Sequence, residues 1–245
     1  MNQVQCVILA GGLGTRMRRF TEHVPKALIP VNGVPFASHQ LGWVAAQGIA
    51  EVVYSIGHRG EMIRSFVGDG SAWGLKVDYL EDGPTLLGTG GALRKGLELG
   101  VIRSPFLTLY GDAYLPVAYR PVLEAFDDAG LPALMTVFPN ANAWAPSNAE
   151  FGDGKVTLYD KRPEGRTAAM SYIDYGLSVL TAEPLDDAVD PGAPADLSDV
   201  FHRLSVEGRL AGYEVSQRFF EIGSPAGLAD LERHLRPPAP AQQVT

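Results

Sequence analysis

The run Val4-Gln5-Cys6-Val7-Ile8-Leu9-Ala10, stopped by Gly11-Gly12, limits the fold of this chain more than any other stretch. Apolar residues follow one another with almost no alternation, which reads as a strand buried on both faces. At Gly11-Gly12-Leu13-Gly14 the missing Cβ atoms let backbone N–H groups approach a ligand closely. Arg16 follows at once, and Lys26 comes ten residues later behind Pro25. A strand, a Gly-rich turn and two fixed cations make a site for a polyphosphate.

Two familiar phosphate motifs fail here. The dinucleotide fingerprint G-x-G-x-x-G, read from Gly12 and Gly14, meets Met17 where the third glycine belongs. A Walker A loop needs Lys-Ser or Lys-Thr, and the segment has neither. What stands is G-G-x-G-T-R followed by P-K; the bland alternative is a surface loop with two solvated cations.

The strand–helix rhythm continues past this turn. Leu41, Val44, Ala45 and Ile49 are spaced for one helical face, with Gly48 as a stop. Glu51 to Ile56, Leu75 to Leu80, Phe106 to Tyr110 and Ala133 to Phe138 read as strands, and Glu61 to Val67, Ala92 to Leu99 and Pro121 to Ala129 as helices. The alternation predicts an α/β chain, a Rossmann-like mostly parallel sheet with helices on both faces. From Pro139 the pattern shifts to short strands at 149–151, 155–160 and 173–180, read as a small antiparallel lid beside that sheet. Pro184 to Pro194 reads as a polar loop, Ser198 to Val206 as a helix, Leu210 to Val215 as the last strand and Ala226 to Leu235 as a closing helix. At 245 residues one domain over 1–235 is expected, followed by a disordered Pro- and Gln-rich tail at 236–245.

Composition narrows the partners. A net charge of −8 argues against a nucleic-acid groove or an anionic membrane surface, while Arg16, Arg18, Arg19 and Lys26 gather cations locally. Cys6 is the lone cysteine and the five histidines lack metal-ligand spacing. With no signal-peptide layout and no membrane span, the expected location is cytoplasmic; monomer and homo-oligomer both stay open. Asp112 follows a buried strand and a glycine, at a carboxyl end where open α/β sheets hold ligands, so it could carry Mg²⁺. Glu221, between two aromatics and a glycine turn, is a second candidate carboxylate.

These segments together resemble the sugar-1-phosphate nucleotidyltransferases. Leu87-Gly88-Thr89-Gly90-Gly91-Ala92 is similar to that family's L-G-T-[AG]-G-A, Gly111-Asp112 to its G-D, Asp160-Lys161-Arg162-Pro163 to its E-K-P. Ile173-Asp174-Tyr175-Gly176 resembles its I-N-x-G, and Glu221-Ile222-Gly223-Ser224-Pro225 its D-I-G-T-P. Within the family, Val24-Pro25-Lys26, Pro30 to Phe36 and Gly57 to Glu61 look most like the heptose-1-phosphate guanylyltransferases. The resemblance implies a nucleotide held by Leu9, Ala10, Gly11, Gly12, Gly14, Thr15, Arg16, Lys26 and Gly88, and catalysis by Arg16, Lys26 and Asp112. It further implies Mg²⁺ on Asp112 and Glu221, and a sugar phosphate held by Asn148, Asp160, Lys161 and Asp174. The substrates so implied are an NTP, GTP in first place, and a sugar 1-phosphate. Where the family commonly has Glu, Asn and Asp, this chain has Asp160, Asp174 and Glu221.

Overall fold

In the computed structural model, which describes residues 4–12, 17, 21–83 and 85–236, the opening run forms β1 (Gln5–Ala10). Cys6 and Ile8 pack into one core, Val7 and Leu9 into another on the opposite face. Covered on both faces, the strand has little room for polar residues, and hence alternates so little. Gln5 fits because its amide donates to Val101 O and accepts from Arg103 N–H.

The chain continues through β2 (Pro30–Val31), β3 (Val34–Pro35), α1 (Phe36–Ala46), β4 (Glu51–Ile56), α2 (Gly60–Val67), β5 (Lys76–Glu81) and α3 (Gly88–Glu98). Next come β6 (Phe106–Tyr110), β7 (Ala113–Tyr114), α4 (Tyr119–Ala129), β8 (Ala133–Pro139), β9 (Ala149–Gly152) and β10 (Lys155–Tyr159). The last are β11 (Tyr172–Leu180), α5 (Glu183–Ala188), α6 (Leu197–Val206), β12 (Leu210–Glu214), β13 (Phe220–Glu221) and α7 (Pro225–His234).

Nine of the described strands share one sheet, ordered β5-β4-β1-β6-β11-β8-β12-β10-β9. β5, β4, β1 and β6 run parallel, as do β12 and β8. Leu41 and Val44 of α1, Ile63 and Val67 of α2 and Val122 and Phe126 of α4 cover one face. Leu93 of α3, Leu185 of α5 and Val200, Phe201 and Leu204 of α6 cover the other. The expected Rossmann-like α/β architecture is what the chain adopts. Among the described residues no helix is long and apolar enough to cross a membrane.

Three expectations need correction. The antiparallel segments are not a lid beside the sheet: β11 lies inside it, between β6 and β8, and β9 and β10 extend its edge. β11 is buried along nearly all nine residues, so only an interior position could cover it. Pro184–Pro194 is not wholly loop, because Pro184 lies in the first turn of α5 and Leu185 is fully buried. Third, α3 begins at Gly88, within the segment read as a Gly-rich turn. Gly88 has φ +69°, and a Cβ there would stand 2.5 Å from Ala195 O. The N–H groups of Gly90 and Gly91 donate to that same carbonyl, so close packing explains these glycines.

Candidate active site

The carboxyl ends of the four parallel strands converge on a cleft of about 280 Å³. β1 supplies Leu9 and Ala10 and leads into Gly11 and Gly12; β4 supplies Ser55; β5 leads into Asp82; β6 supplies Tyr110 and leads into Gly111 and Asp112. Pro25, Lys26 and Ala27, with Leu86, Gly88, Thr89 and Ala92, complete the lining. Leu9, Ala10, Gly11, Gly12, Lys26, Gly88 and Asp112, named from the sequence, thus come together from distant parts of the chain. Gly14, Thr15 and Arg16 lie outside the described residues.

Lys26 Nζ donates to Asp112 Oδ2 at 2.7 Å, with 18% and 28% of the two side chains exposed. Asp112 hangs on a two-residue turn between β6 and β7. Gly111 is required there, because a Cβ would come within 2.7 Å of the Ala10 Cβ. β13 pairs with β7, setting Glu221 opposite Ala113, and Ile222 N–H donates to Asp112 O at 3.0 Å. The two candidate carboxylates therefore sit on adjoining backbone segments. No group of three or more His, Cys, Asp or Glu suited to a metal occurs among the described residues. Two carboxylates suffice for Mg²⁺, which commonly completes its shell with phosphate oxygens and water, so this donor set fits that ion.

Beside this centre lies the second set. Lys161 Nζ is 3.3 Å from the Tyr110 hydroxyl and 5.1 Å from the centre of that ring. Desolvation opposes its charge, but Tyr110, Asp174 and Asp196 outweigh it and hold the ammonium above its usual range. Burial in turn pushes the Tyr110 hydroxyl up to about 12. Asp174 accepts from Tyr159 O–H and Gly176 N–H, and its own N–H donates to Asn148 Oδ1 at 2.8 Å. Burial still raises its carboxyl. Asn148 and Asp174 are thus hydrogen-bonded to each other, and Asp174 acts on Lys161 through its charge.

Asp160, expected at the sugar phosphate, has its carboxylate engaged by a neighbouring arginine. Its carboxylate accepts from Arg162 Nε at 2.9 Å, Arg162 Nη2 at 2.6 Å and Arg162 N–H at 2.8 Å. The guanidinium two residues on offers a fork that Lys161 cannot match, and it draws the acid away. Asp196, which the sequence reading missed, is the second acid that acts on Lys161. It caps α6 by accepting from Ser198 N–H.

Asp82 was also missed. It lines the cleft, is 8% exposed, and its Oδ1 has no hydrogen-bond partner among the described residues. Burial raises its carboxyl, against the Leu87 N–H and Lys95, which lower it. Its position just after β5 repeats that of Asp112 after β6, and this was the available signal. A second recess of about 480 Å³ continues from Asp82 and Leu86 past His58 and Glu61.

A family model described as nucleotidyl transferase matches residues 5–236. The mannose-1-phosphate guanylyltransferase of Mycobacterium tuberculosis is 29% identical over 248 residues, spanning 96% of this chain and 67% of its own length. The N-acetylmuramate alpha-1-phosphate uridylyltransferase of Neisseria meningitidis is 26% identical over 236 residues, 94% of this chain and 97% of its own. A putative glucose-1-phosphate thymidylyltransferase from Bacillus anthracis, solved in complex with a sucrose, superposes with a TM-score of 0.80. Its identity is 21%, with 98% of each chain covered, which speaks to the fold alone.

Proposed function

This chain belongs to the nucleotidyl transferase family, and from that premise we propose that it transfers GMP from GTP to a neutral sugar 1-phosphate, a heptose in first place. It is an enzyme of the sugar-1-phosphate nucleotidyltransferase class. In the proposed reaction a phosphate oxygen of the sugar 1-phosphate attacks the α-phosphorus, the bond to the bridging oxygen breaks, and pyrophosphate leaves. Lys26 would hold charge that builds on the phosphate oxygens, and Arg16 would hold the triphosphate. Lys161 would hold the phosphate of the sugar. Such a transfer needs positioning and charge neutralisation rather than an activated nucleophile on the protein. Asp112 and Glu221 would hold Mg²⁺, which supplies further neutralisation of phosphate charge when bound.

The observation that carries the choice of base is Asp82, a nearly buried carboxylate among the residues that line the cleft. Guanine presents two adjacent donors, N1–H and its amino group, that match a carboxylate at two points. Uracil and thymine present one N–H between two carbonyls, which a carboxylate would repel. The recess beyond Asp82 supports a purine too, since it leaves room past the acid.

A second reading, uridylyl transfer to a hexose or carboxylated sugar 1-phosphate, is favoured by the near end-to-end similarity to the Neisseria relative. Pyrophosphate release, measured across the common NTPs and a panel of neutral, amino and carboxylated sugar 1-phosphates, separates the two. Highest kcat/KM with GTP and a neutral sugar supports the first reading; highest kcat/KM with UTP overturns its base.

A further inference from the structure

Gln40 is a polar residue on an apolar helix face. It lies in α1 beside Phe36, Ala37, Leu41 and Val44, and only 3% of it is exposed. Nε2 donates to Tyr110 O at 2.9 Å and to Ala113 O at 2.8 Å. Only the NH₂ end of an amide can serve two carbonyls, so the orientation of the group is fixed. Its Oε1 has no partner among the described residues. The side chain is therefore kept in the core for its two donors, at the cost of an acceptor left unused.

Those two carbonyls bracket Gly111 and Asp112 and no other residue. A two-residue turn containing a glycine has little conformational preference of its own. Gly111 N–H donates to Leu9 O at 2.8 Å and Ile222 N–H to Asp112 O at 3.0 Å, tying the turn to β1 and to the segment after Glu221. Gln40 adds a third anchor, in α1, that grips the turn at both ends.

We infer that Gln40 is a positioning residue for nucleotidyl transfer: it clamps the turn between β6 and β7 so that the Asp112 carboxylate stays at Lys26. The inference rests on the reading of Asp112 as a carboxylate of the reacting centre. Misplacement of a reacting group by about 1 Å can cost on the order of 10²-fold in rate. The binding of NTP, spread over the whole cleft, depends far less on this one turn.

Two variants test it. Gln40→Met keeps the volume and removes both donors; Gln40→Glu keeps the shape and sets acceptors against the carbonyls. Expected for each folded variant is a fall in kcat of roughly 10- to 100-fold with KM for GTP changed by less than about threefold. Amide hydrogen exchange, read by mass spectrometry without substrate, should quicken in a peptide covering 106–115 and stay unchanged in one covering 60–67. Undiminished kcat in both variants overturns the inference, as does lost kcat with unchanged exchange over 106–115. Asp112→Asn serves as the control. Full activity there defeats the reading of the centre, whereas an inactive Asp112→Asn beside a fully active Gln40→Met defeats the clamp alone.

Discussion

Lys26 Nζ and Asp112 Oδ2 meet at 2.7 Å inside the cleft, although 86 positions separate them in the chain. Each neutralises the other while remaining partly open to solvent, so either can turn to a phosphate or a cation when substrate arrives. Loss of a donor to charge that develops in a transition state costs about 10²–10³-fold in kcat. Lys26→Ala is expected to fall in that range, Arg16→Ala likewise, and Asp112→Asn to be inactive at ordinary Mg²⁺. EDTA should silence the wild type. The stability cost of Lys26→Ala should stay below the ~3–5 kcal/mol seen when a fully buried pair is broken, because both partners keep access to water. Pyrophosphate release and thermal unfolding on the same preparations check both statements; a Lys26→Ala enzyme with wild-type turnover removes the residue from the reacting centre.

Asp82 yields a prediction on substrate choice and one on stability. Asp82→Asn replaces one acceptor by a donor and would break the two-point match proposed for guanine. A bidentate contact to a base is worth about 1–3 kcal/mol of discrimination, so kcat/KM for GTP should fall roughly 10- to 100-fold. That for UTP should hold or rise. Burial raises the Asp82 carboxyl, so its folded pKa lies above its unfolded one. Stability linked to this group is then complete below the ordinary carboxylate range and is lost as pH rises through the raised value. Without ligand, Asp82→Asn should melt above the wild type at neutral pH and lose that advantage in acid. An unchanged GTP to UTP ratio would remove Asp82 from base recognition.

Asp160 behaves in the opposite sense. Hydrogen bonds from the Arg162 side chain hold its carboxyl at about 2, against the cost of burial. A folded pKa below the unfolded value of about 3.9 gives stability that is present above pH 4 and lost as pH falls toward 2. Arg162→Met should therefore lower the melting temperature at pH 7 and narrow its gap from wild type progressively below pH 4. A gap that stays constant down to pH 2 would show that the pair contributes nothing through this titration.

The sequence made the parallel half of the fold legible because its signals are local. An unbroken apolar run, a Gly stop at Gly48 with φ +81° and a strand from Phe106 to Tyr110 each announce themselves within a few residues. The place of β11 was not legible, since its burial comes from β6 and β8, drawn from earlier parts of the chain. Residues carried by glycine-marked motifs could be named, whereas Asp82 had only its place after β5 as a signal and Asp196 sits in a segment whose meaning depends on its neighbours. Gln40 was hidden for the same reason. An amide on an apolar helix face has no pattern in sequence; its role exists only once Tyr110 and Ala113 turn their carbonyls toward it.

Charge around Lys161 bears on the sugar. Asp174 and Asp196 both act on that ammonium, and Tyr110 packs against it. Asp160 is bonded to Arg162 instead. In the proposed sugar subsite Lys161 would engage the sugar's phosphate, and Asp174 and Asp196 would give its surroundings a negative charge. Hydroxyls can donate to those acids, and such charge-assisted bonds are the stronger kind. A carboxylate on the sugar would instead meet like charges, and at an effective dielectric near 20 two unit charges 4 Å apart repel by about 4 kcal/mol before screening. Neutral sugar 1-phosphates should then exceed carboxylated ones in kcat/KM by at least ~10-fold, allowing for water and salt. Asp174→Asn should narrow that ratio while Lys161→Ala raises KM for every sugar phosphate alike. If the wild type instead prefers the muramic acid phosphate, the acids do not face the sugar, and substrate choice in this chain follows its Neisseria relative.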